Sequence, residues 1–221
     1  MRPICPRCHR PLRACLCAWV RPTANRLPLL VLQHPQEARH AKGSVRLLRC
    51  SLADCTVQVG ERFDAGALAA WLGPPGSSLL LYPDASDTPP GAPPGAPLGT
   101  LSKVPPAAAT TLPTLARVVL LDGTWRQARG LLRNHALLQA LPRWALPALP
   151  PSRYAIRRAH QPAQRSSLEA ACAALGLLEG RPAHYAPLLD AFSTWVAGMV
   201  AEAASGSGSS GVSAAHPAAG S

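Results

Sequence analysis

Arg117-Val-Val-Leu-Leu-Asp-Gly-Thr-Trp125 is the stretch on which the fold turns. Val118 to Leu121 form an unbroken apolar run, and such a run reads as a strand buried on both faces. Strands of that kind belong to parallel sheets with helices on each side. Asp122-Gly-Thr then breaks the run, and a helical pattern continues from Trp125 to about Leu141. On that helix Trp125, Ala128, Leu132 and Ala136 form the face expected to be buried. Arg126, Arg129 and Arg133 fall at i, i+3 and i+7 and share another face.

Two further apolar runs flank this one. Leu27-Pro-Leu-Leu-Val-Leu32 reads as a buried strand ending at Gln33-His34-Pro35, and Ser78-Leu-Leu-Leu-Tyr82 as another. Helical patterns lie between and after them. They comprise a loop over 36–48 that leads into a short helix, Ala65–Leu72, Ser167–Leu178 ending at Gly180, and an amphipathic segment from Pro187 to about Ala204. Residues 144–157 read as irregular, with a short strand over Tyr154–Ile156. Alternating strands and helices indicate an α/β fold with a mainly parallel sheet and flanking helices. Residues 83–116 hold nine prolines, too many for a helix or central strand, and read as an extended surface insertion. Residues 205–221, rich in Ser, Gly and Ala, read as a disordered tail.

The charge is one-sided. The 221 residues carry 22 Lys+Arg against 11 Asp+Glu, a formal net charge of +11. Twenty of the basic residues are Arg, whose planar fork pairs with phosphate. A GC-rich genome favours Arg over Lys but does not explain the shortage of carboxylates. The balance points to a polyanion, nucleic acid first. Residues 88–168 hold ten basic residues and a single acid, Asp122. Asp122 sits at a strand's carboxyl end, where open α/β sheets bind ligands. It also suits a helix N-cap, as does Thr124.

Cys5-x2-Cys8-x6-Cys15-x-Cys17 gathers four of the seven cysteines into 13 residues. In a chain with no apolar signal core after Met1, this clustering favours a metal over disulfides. Four thiolates close a tetrahedral shell, so the expectation is a structural zinc site. Cys50, Cys55 and Cys172 are scattered and read as small buried residues. Arg2, Arg7, Arg10, Arg13 and Arg21 decorate the knuckle, and no carboxylate occurs before Glu37. Arg7 and Arg10, with Arg126, Arg129 and Arg133, are the expected RNA contacts. No run of 18 apolar residues exists, so no membrane helix is expected, and the chain reads as cytoplasmic. The Gly-x-Gly-x-x-Gly fingerprint and the phosphate-loop pattern are both absent from the folded part.

Leu32-Gln-His-Pro35 with Glu37, Lys42-Gly-Ser-Val-Arg46, Leu121-Asp-Gly-Thr-Trp125, Tyr154-Ala-Ile-Arg157 and Ser166-Ser-Leu-Glu-Ala170 follow the cysteine cluster in order. Together they resemble the DTW-domain family of tRNA-uridine aminocarboxypropyltransferases, over roughly residues 5–200. The resemblance implies a relative of the SPOUT class, with a C-terminal knot that holds S-adenosylmethionine. It implies transfer of the 3-amino-3-carboxypropyl group to N3 of a tRNA uridine, with methylthioadenosine released. Asp122 maps to the family's critical carboxylate, as a base for the N3 proton or as a ligand of the cofactor ribose. Trp125 maps to a position that packs along the transferred chain. Ser44, Arg157, Ser167 and Glu169 map to positions near the cofactor or knot, where capping and structural pairing are competing roles. The family's Leu before Ser-x-Leu-Glu-Ala is Arg165 here. The implied organisation is a zinc knuckle over 1–22, a catalytic domain over 23–204 and the tail. The implied partners are tRNA and S-adenosylmethionine, with no membrane and no obligate protein partner. The alternatives are a SPOUT-like RNA methyltransferase, the same transfer onto rRNA, and a zinc-knuckle RNA-binding protein without catalysis.

Overall fold

The structure, a computed structural model, describes residues 3–40, 43–82, 115–146 and 166–206. Among these, five strands form one parallel sheet in the order β2-β1-β4-β3-β5. They are β1 (Leu29–Gln33), β2 (Cys55–Val59), β3 (Ser78–Leu81), β4 (Arg117–Asp122) and β5 (Arg143–Trp144). The helices are α1 (Pro35–Ala38), α2 (Val45–Ser51), α3 (Ala65–Leu72), α4 (Trp125–Asn134), α5 (Ala136–Gln139), α6 (Ser167–Leu178) and α7 (Ala186–Gly206).

The pleat sorts the strand side chains into two cores. Leu29, Val31, Leu79, Leu81, Val118 and Leu120 face α2, α6 and α7. Leu30, Leu32, Leu80, Val119 and Leu121 face α3, α4 and α5. Both faces are therefore covered, which is why these strands are continuous apolar runs. β2 is the exception. It is an edge strand with only half-buried and exposed positions, so its Cys-Thr-Val-Gln-Val lacks the apolar density of its neighbours.

Several expectations needed correction. The helix expected from Trp125 to about Leu141 breaks at His135, which adopts an extended backbone. His135 is buried, and its Nε2 accepts a hydrogen bond from the Phe63 backbone N–H at 2.8 Å. Its Nδ1 therefore carries the proton and donates to the Leu131 carbonyl at 2.8 Å. The ring ties the loop before α3 to the α4–α5 joint. Past the break Ala136 is exposed; Trp125, in the first turn, is only half-buried, and Leu131 joins Ala128 and Leu132 in the core. Cys172 is buried as expected, but Cys50 and Cys55 are half-buried, because both lie towards the β2 edge. α7 extends to Gly206, two residues into the expected tail. The strand expected over Tyr154–Ile156, the insertion up to residue 114 and the connection 147–165 that would thread a knot lie outside the described residues.

The end of α6 is stapled to the start of β1 by Glu179. Its Oε1 accepts the backbone N–H groups of Arg26 (2.7 Å) and Leu27 (3.0 Å). Its Oε2 accepts from the Arg181 guanidinium (2.8 Å) and the Tyr185 hydroxyl (2.9 Å). Burial alone would raise this carboxyl's pKa. The donors of Leu27, Arg181, Tyr185 and Arg26 outweigh burial and hold it below the usual carboxylate range. A group whose folded pKa is depressed stabilises the fold above its unfolded pKa, about 4.3, and loses that contribution as pH falls through the folded value. Glu179→Ala is expected to cost about 3 kcal/mol at pH 7 by leaving these donors unpaired. Denaturant titrations at pH 7 and pH 3 should show the gap to wild type narrowing in acid. A gap independent of pH would remove the charge from the explanation.

Candidate active site and metal centre

β1 and β4 are neighbours whose outgoing connections run in opposite directions, β1 to β2 and β4 to β5 at the far edge. The crevice at their carboxyl ends is thus a topological switch point, the place where open parallel sheets bind ligands. The last register pair of the two strands is Gln33 with Asp122. Both are buried polar residues closing apolar strands, Asp122 at 8% exposure. Gln33 Nε2 donates to Asp122 Oδ2 at 2.8 Å. The Ser167 hydroxyl donates to Asp122 Oδ1. The Asp122 carbonyl also accepts the His34 N–H at 2.9 Å. The carboxylate is thereby held by β1 on one side and by the first residue of α6 on the other.

The N-terminus of α6 is built to present Ser167. Ser166 caps the helix, and Glu169 completes a capping box by accepting from the Ser166 N–H and hydroxyl, both at 3.0 Å. Glu169 thus has the structural partner that its position allowed. Ser44, at the N-cap of α2, accepts from the Leu168 N–H at 3.4 Å. Two helix N-termini therefore meet beside Asp122. In α6 the Leu168 and Glu169 N–H groups are taken up by Ser44 and Ser166, while the first turn of α2 has no side-chain cap and favours an anionic or electron-rich group nearby.

Asp122 is not the cap of α4. Thr124 is, in a capping box with Gln127. Gly123 makes that box possible, since a Cβ there would lie 2.9 Å from the Gln127 Cβ. Trp125 opens α4 and meets Tyr82 edge-on at 6.0 Å between ring centroids. Arg157 lies outside the described residues. Of the expected cofactor residues, Ser44, Asp122, Ser167 and Glu169 are brought together.

Two clefts flank these strand ends. The larger, about 530 Å³, is lined by His34, Gln36, Thr124, Arg126 and Gln127 among others. It lies on the α4 side of the sheet, opposite the Asp122 carboxylate, which shares a face with Leu120. His34 Nδ1 accepts from the Gln36 N–H at 3.3 Å, and its Nε2 faces the exposed Glu61 at 3.1 Å. The smaller cleft, about 370 Å³, is on the Asp122 side, between the cysteine knuckle, β1 and α2. Gln33 lines it.

The four knuckle cysteines converge. Cys5 and Cys17 Sγ are 3.6 Å apart, Cys8 and Cys15 Sγ 3.8 Å, and all four sulfurs lie within 4.8 Å of one another. A tetrahedron with metal–sulfur bonds of about 2.3 Å has sulfur–sulfur edges of about 3.8 Å. Disulfides would need about 2.05 Å. The donor set therefore fits a closed site of four thiolates, and His9 is not part of it. His9 turns the knuckle with φ +52°, and its N–H donates to the Cys5 carbonyl. Backbone donors at Cys8 and Arg7 lower the Cys5 thiol to about 6, while burial and the neighbouring thiols push Cys17 up to about 12, so these shifts belong to the four-thiol cluster and not to either residue alone.

The knuckle does not hang free. Leu16 and Val20 enter the α7-side core, and Arg10 lies over the Trp195 ring at 5.7 Å from its centroid. Arg46 Nη1 donates to the carbonyls of Cys8 (3.2 Å) and His9 (2.9 Å). Of the expected RNA contacts, Arg7, Arg126, Arg129 and Arg133 are exposed, whereas Arg10 is turned inward onto Trp195. Sequence reasoning missed Gln33 and Arg46 as site residues. Both fall inside the motifs Leu32-Gln-His-Pro35 and Lys42-Gly-Ser-Val-Arg46, and Gln33 is a polar residue closing an apolar strand, but nothing local gave either a role.

A family model described as DTW domain matches residues 2–199. A mouse protein named tRNA-uridine aminocarboxypropyltransferase 2 is 33% identical over 186 residues, covering 80% of this chain and 57% of that one. Proteins of the same name from Macaca fascicularis and Drosophila melanogaster are each 31% identical over 80% of this chain, covering 57% and 67% of their own lengths. The chain therefore spans less than two thirds of the mouse and macaque proteins. No solved structure matches the chain significantly.

Proposed function

The chain belongs to the DTW-domain family, and from that premise we propose that it is a tRNA-uridine aminocarboxypropyltransferase. The donor is S-adenosylmethionine and the acceptor is N3 of a tRNA uridine. N3 bonds to the γ-carbon of the aminocarboxypropyl chain as the carbon–sulfur bond breaks. The sulfur keeps the electron pair and leaves as the thioether of methylthioadenosine. The N3 proton passes to a carboxylate, and Asp122 is the group proposed to take it.

The observation that carries this reading is the placement of Asp122. It stands at a topological switch point, fixed between Gln33 and Ser167, in a region otherwise rich in arginine. Its fixed position supports alignment of acceptor and donor. The two helix N-termini at Ser44 and Ser166 suit the donor's carboxylate or ribose oxygens. Trp125, Arg157 and Glu169 complete the proposed donor environment, with Glu169 acting through the α6 cap. We place the donor beside the 147–165 connection, in a SPOUT-like knot. Residues 1–22 form the proposed metal knuckle, where Cys5, Cys8, Cys15 and Cys17 would hold a zinc ion that supplies rigidity and no reactive position. Residues 23–204 form the proposed catalytic domain. Arg126, Arg129 and Arg133, exposed along α4, are proposed to track the tRNA backbone.

The test is incubation with purified tRNA and S-adenosylmethionine labelled in the carboxyl carbon or in the methyl group. Carboxyl label entering tRNA, with methyl label recovered in methylthioadenosine, is the expected outcome. Methyl label in RNA without carboxyl label would make the protein a methyltransferase. Carboxyl label entering rRNA but not tRNA would move the substrate. Binding without either label would leave an RNA-binding protein.

A further inference from the structure

We propose that the 370 Å³ cleft between the cysteine knuckle and α2 is a nucleotide subsite that grips RNA phosphates beside the target base. This rests on the transferase reading above and assigns the RNA substrate a place on the Asp122 side of the sheet. Arg7, from the knuckle, and Arg49, from α2, are exposed on the cleft's walls. Among the described residues neither forms an ion pair. Arg46 stands between them, and the cleft's only carboxylate, Glu37, is buried at 8% exposure. The rim is therefore cationic, which suits phosphate and disfavours the donor's sulfonium.

The cleft is also built rather than incidental. Arg46 bonds two knuckle carbonyls, so the wall bearing Arg7 is pinned to the helix bearing Arg49. Gln33 lines the cleft, and the same side chain donates to Asp122. A nucleotide whose phosphates rest on Arg7 and Arg49 thus has Gln33, the hydrogen-bond partner of Asp122, in the wall of its site. The volume is within the usual range for small-ligand sites, about 300–1,000 Å³. The knuckle then has a substrate-facing role as one wall of the subsite. Arg10 has none there, being turned onto Trp195.

The experiment compares full-length wild type with Arg7→Ala/Arg49→Ala and, separately, Val59→Glu. Val59 is 51% exposed on the cleft and is not a metal ligand, but it stands beside Gln33 in the sheet register, so Val59→Glu adds repulsion without removing a knuckle residue and Val59→Gln serves as its uncharged control. Purified tRNA binding is measured across a salt series, S-adenosylmethionine binding by calorimetry, and folding by thermal melting. The double variant is expected to weaken tRNA binding at least about tenfold and to reduce the salt slope by about 1.4–1.8, the share of two phosphate contacts. Val59→Glu should weaken tRNA binding in the same direction. Donor affinity should stay within about twofold in both. Unchanged tRNA affinity in folded variants overturns the subsite, as does a loss confined to donor affinity. If the double variant melts early, Val59→Glu alone decides. Should the arginines govern tRNA binding while wild type incorporates no label, the subsite stands and the transferase reading falls. Label transfer at an unchanged KM for tRNA in the variants means the reverse: the transferase reading stands and the subsite falls.

Discussion

Asp122→Asn loses aminocarboxypropyl transfer by about 10²–10⁴-fold and remains folded. The rate loss is the usual share of a positioned base. The fold survives because the amide has the carboxylate's shape. Gln33 can turn its own amide to present oxygen, and the Ser167 hydroxyl can still donate. The variant also separates the two roles open to the carboxylate. Removal of a base lowers the single-turnover rate and leaves donor affinity within about threefold. Removal of a ribose ligand raises the donor Kd by at least about tenfold, the cost of a lost charge-assisted hydrogen bond. A folded variant with wild-type turnover and wild-type donor affinity would take Asp122 out of the chemistry altogether.

Stripping the metal from the knuckle lowers the melting temperature by more than about 10 °C. Structural zinc sites of this kind are worth about 10–16 kcal/mol in isolated fingers. For a chain of this size about 1 kcal/mol moves the midpoint by about 2–4 °C. Here the loss would not stay local. Leu16 and Val20 leave the α7-side core, Arg10 leaves Trp195, and Arg46 loses the carbonyls of Cys8 and His9. Melting with and without a strong chelator, and of Cys15→Ala, measures the effect. Elemental analysis of the purified protein gives the metal's identity and its stoichiometry of one. Metal-free protein that melts like the untreated sample would rule the cluster out as a metal centre.

The strands that are buried on both faces were legible in the sequence because burial demands unbroken apolar runs. β1, β3 and β4 all fall within two residues of the runs that announced them. β2 and β5 were not read, for two different reasons. β2 is an edge with no fully buried side chain, so no apolar run marks it. β5 is two residues long and owes its existence to pairing with β3, a tertiary fact without a local pattern. The break at His135 was hidden because the apolar spacing continues through it. What interrupts the helix is a hydrogen bond from Phe63, 72 positions away. At the site, Asp122 was marked by isolation in a basic stretch and by a strand end. The cysteine spacing marked the four-thiol cluster in the same way. Arg46 stood inside a motif, but its role was not legible, because it holds two carbonyls of a loop 37 and 38 positions earlier. Motif position brought Ser167 and Glu169 forward together. Only the geometry divides them, one on the carboxylate and one on the helix cap.

The hydrogen bonds around Asp122 also set a timetable. Gln33 reaches it across 89 positions, Ser167 across 45, and the Leu168 N–H reaches Ser44 across 124. Each bond closes a long loop, and loop closure of this kind is slow and late. On the ribosome the sheet strands β1 to β5 emerge first, while Ser167 follows only after the whole of that sheet has been made. A nascent chain that has released β4 holds an Asp122 with neither its second clamp nor the neighbouring helix end. The hydrogen-bonded setting of Asp122 is therefore completed in a single late step, when α6 docks, and shorter products of interrupted synthesis carry the carboxylate in an unfinished setting.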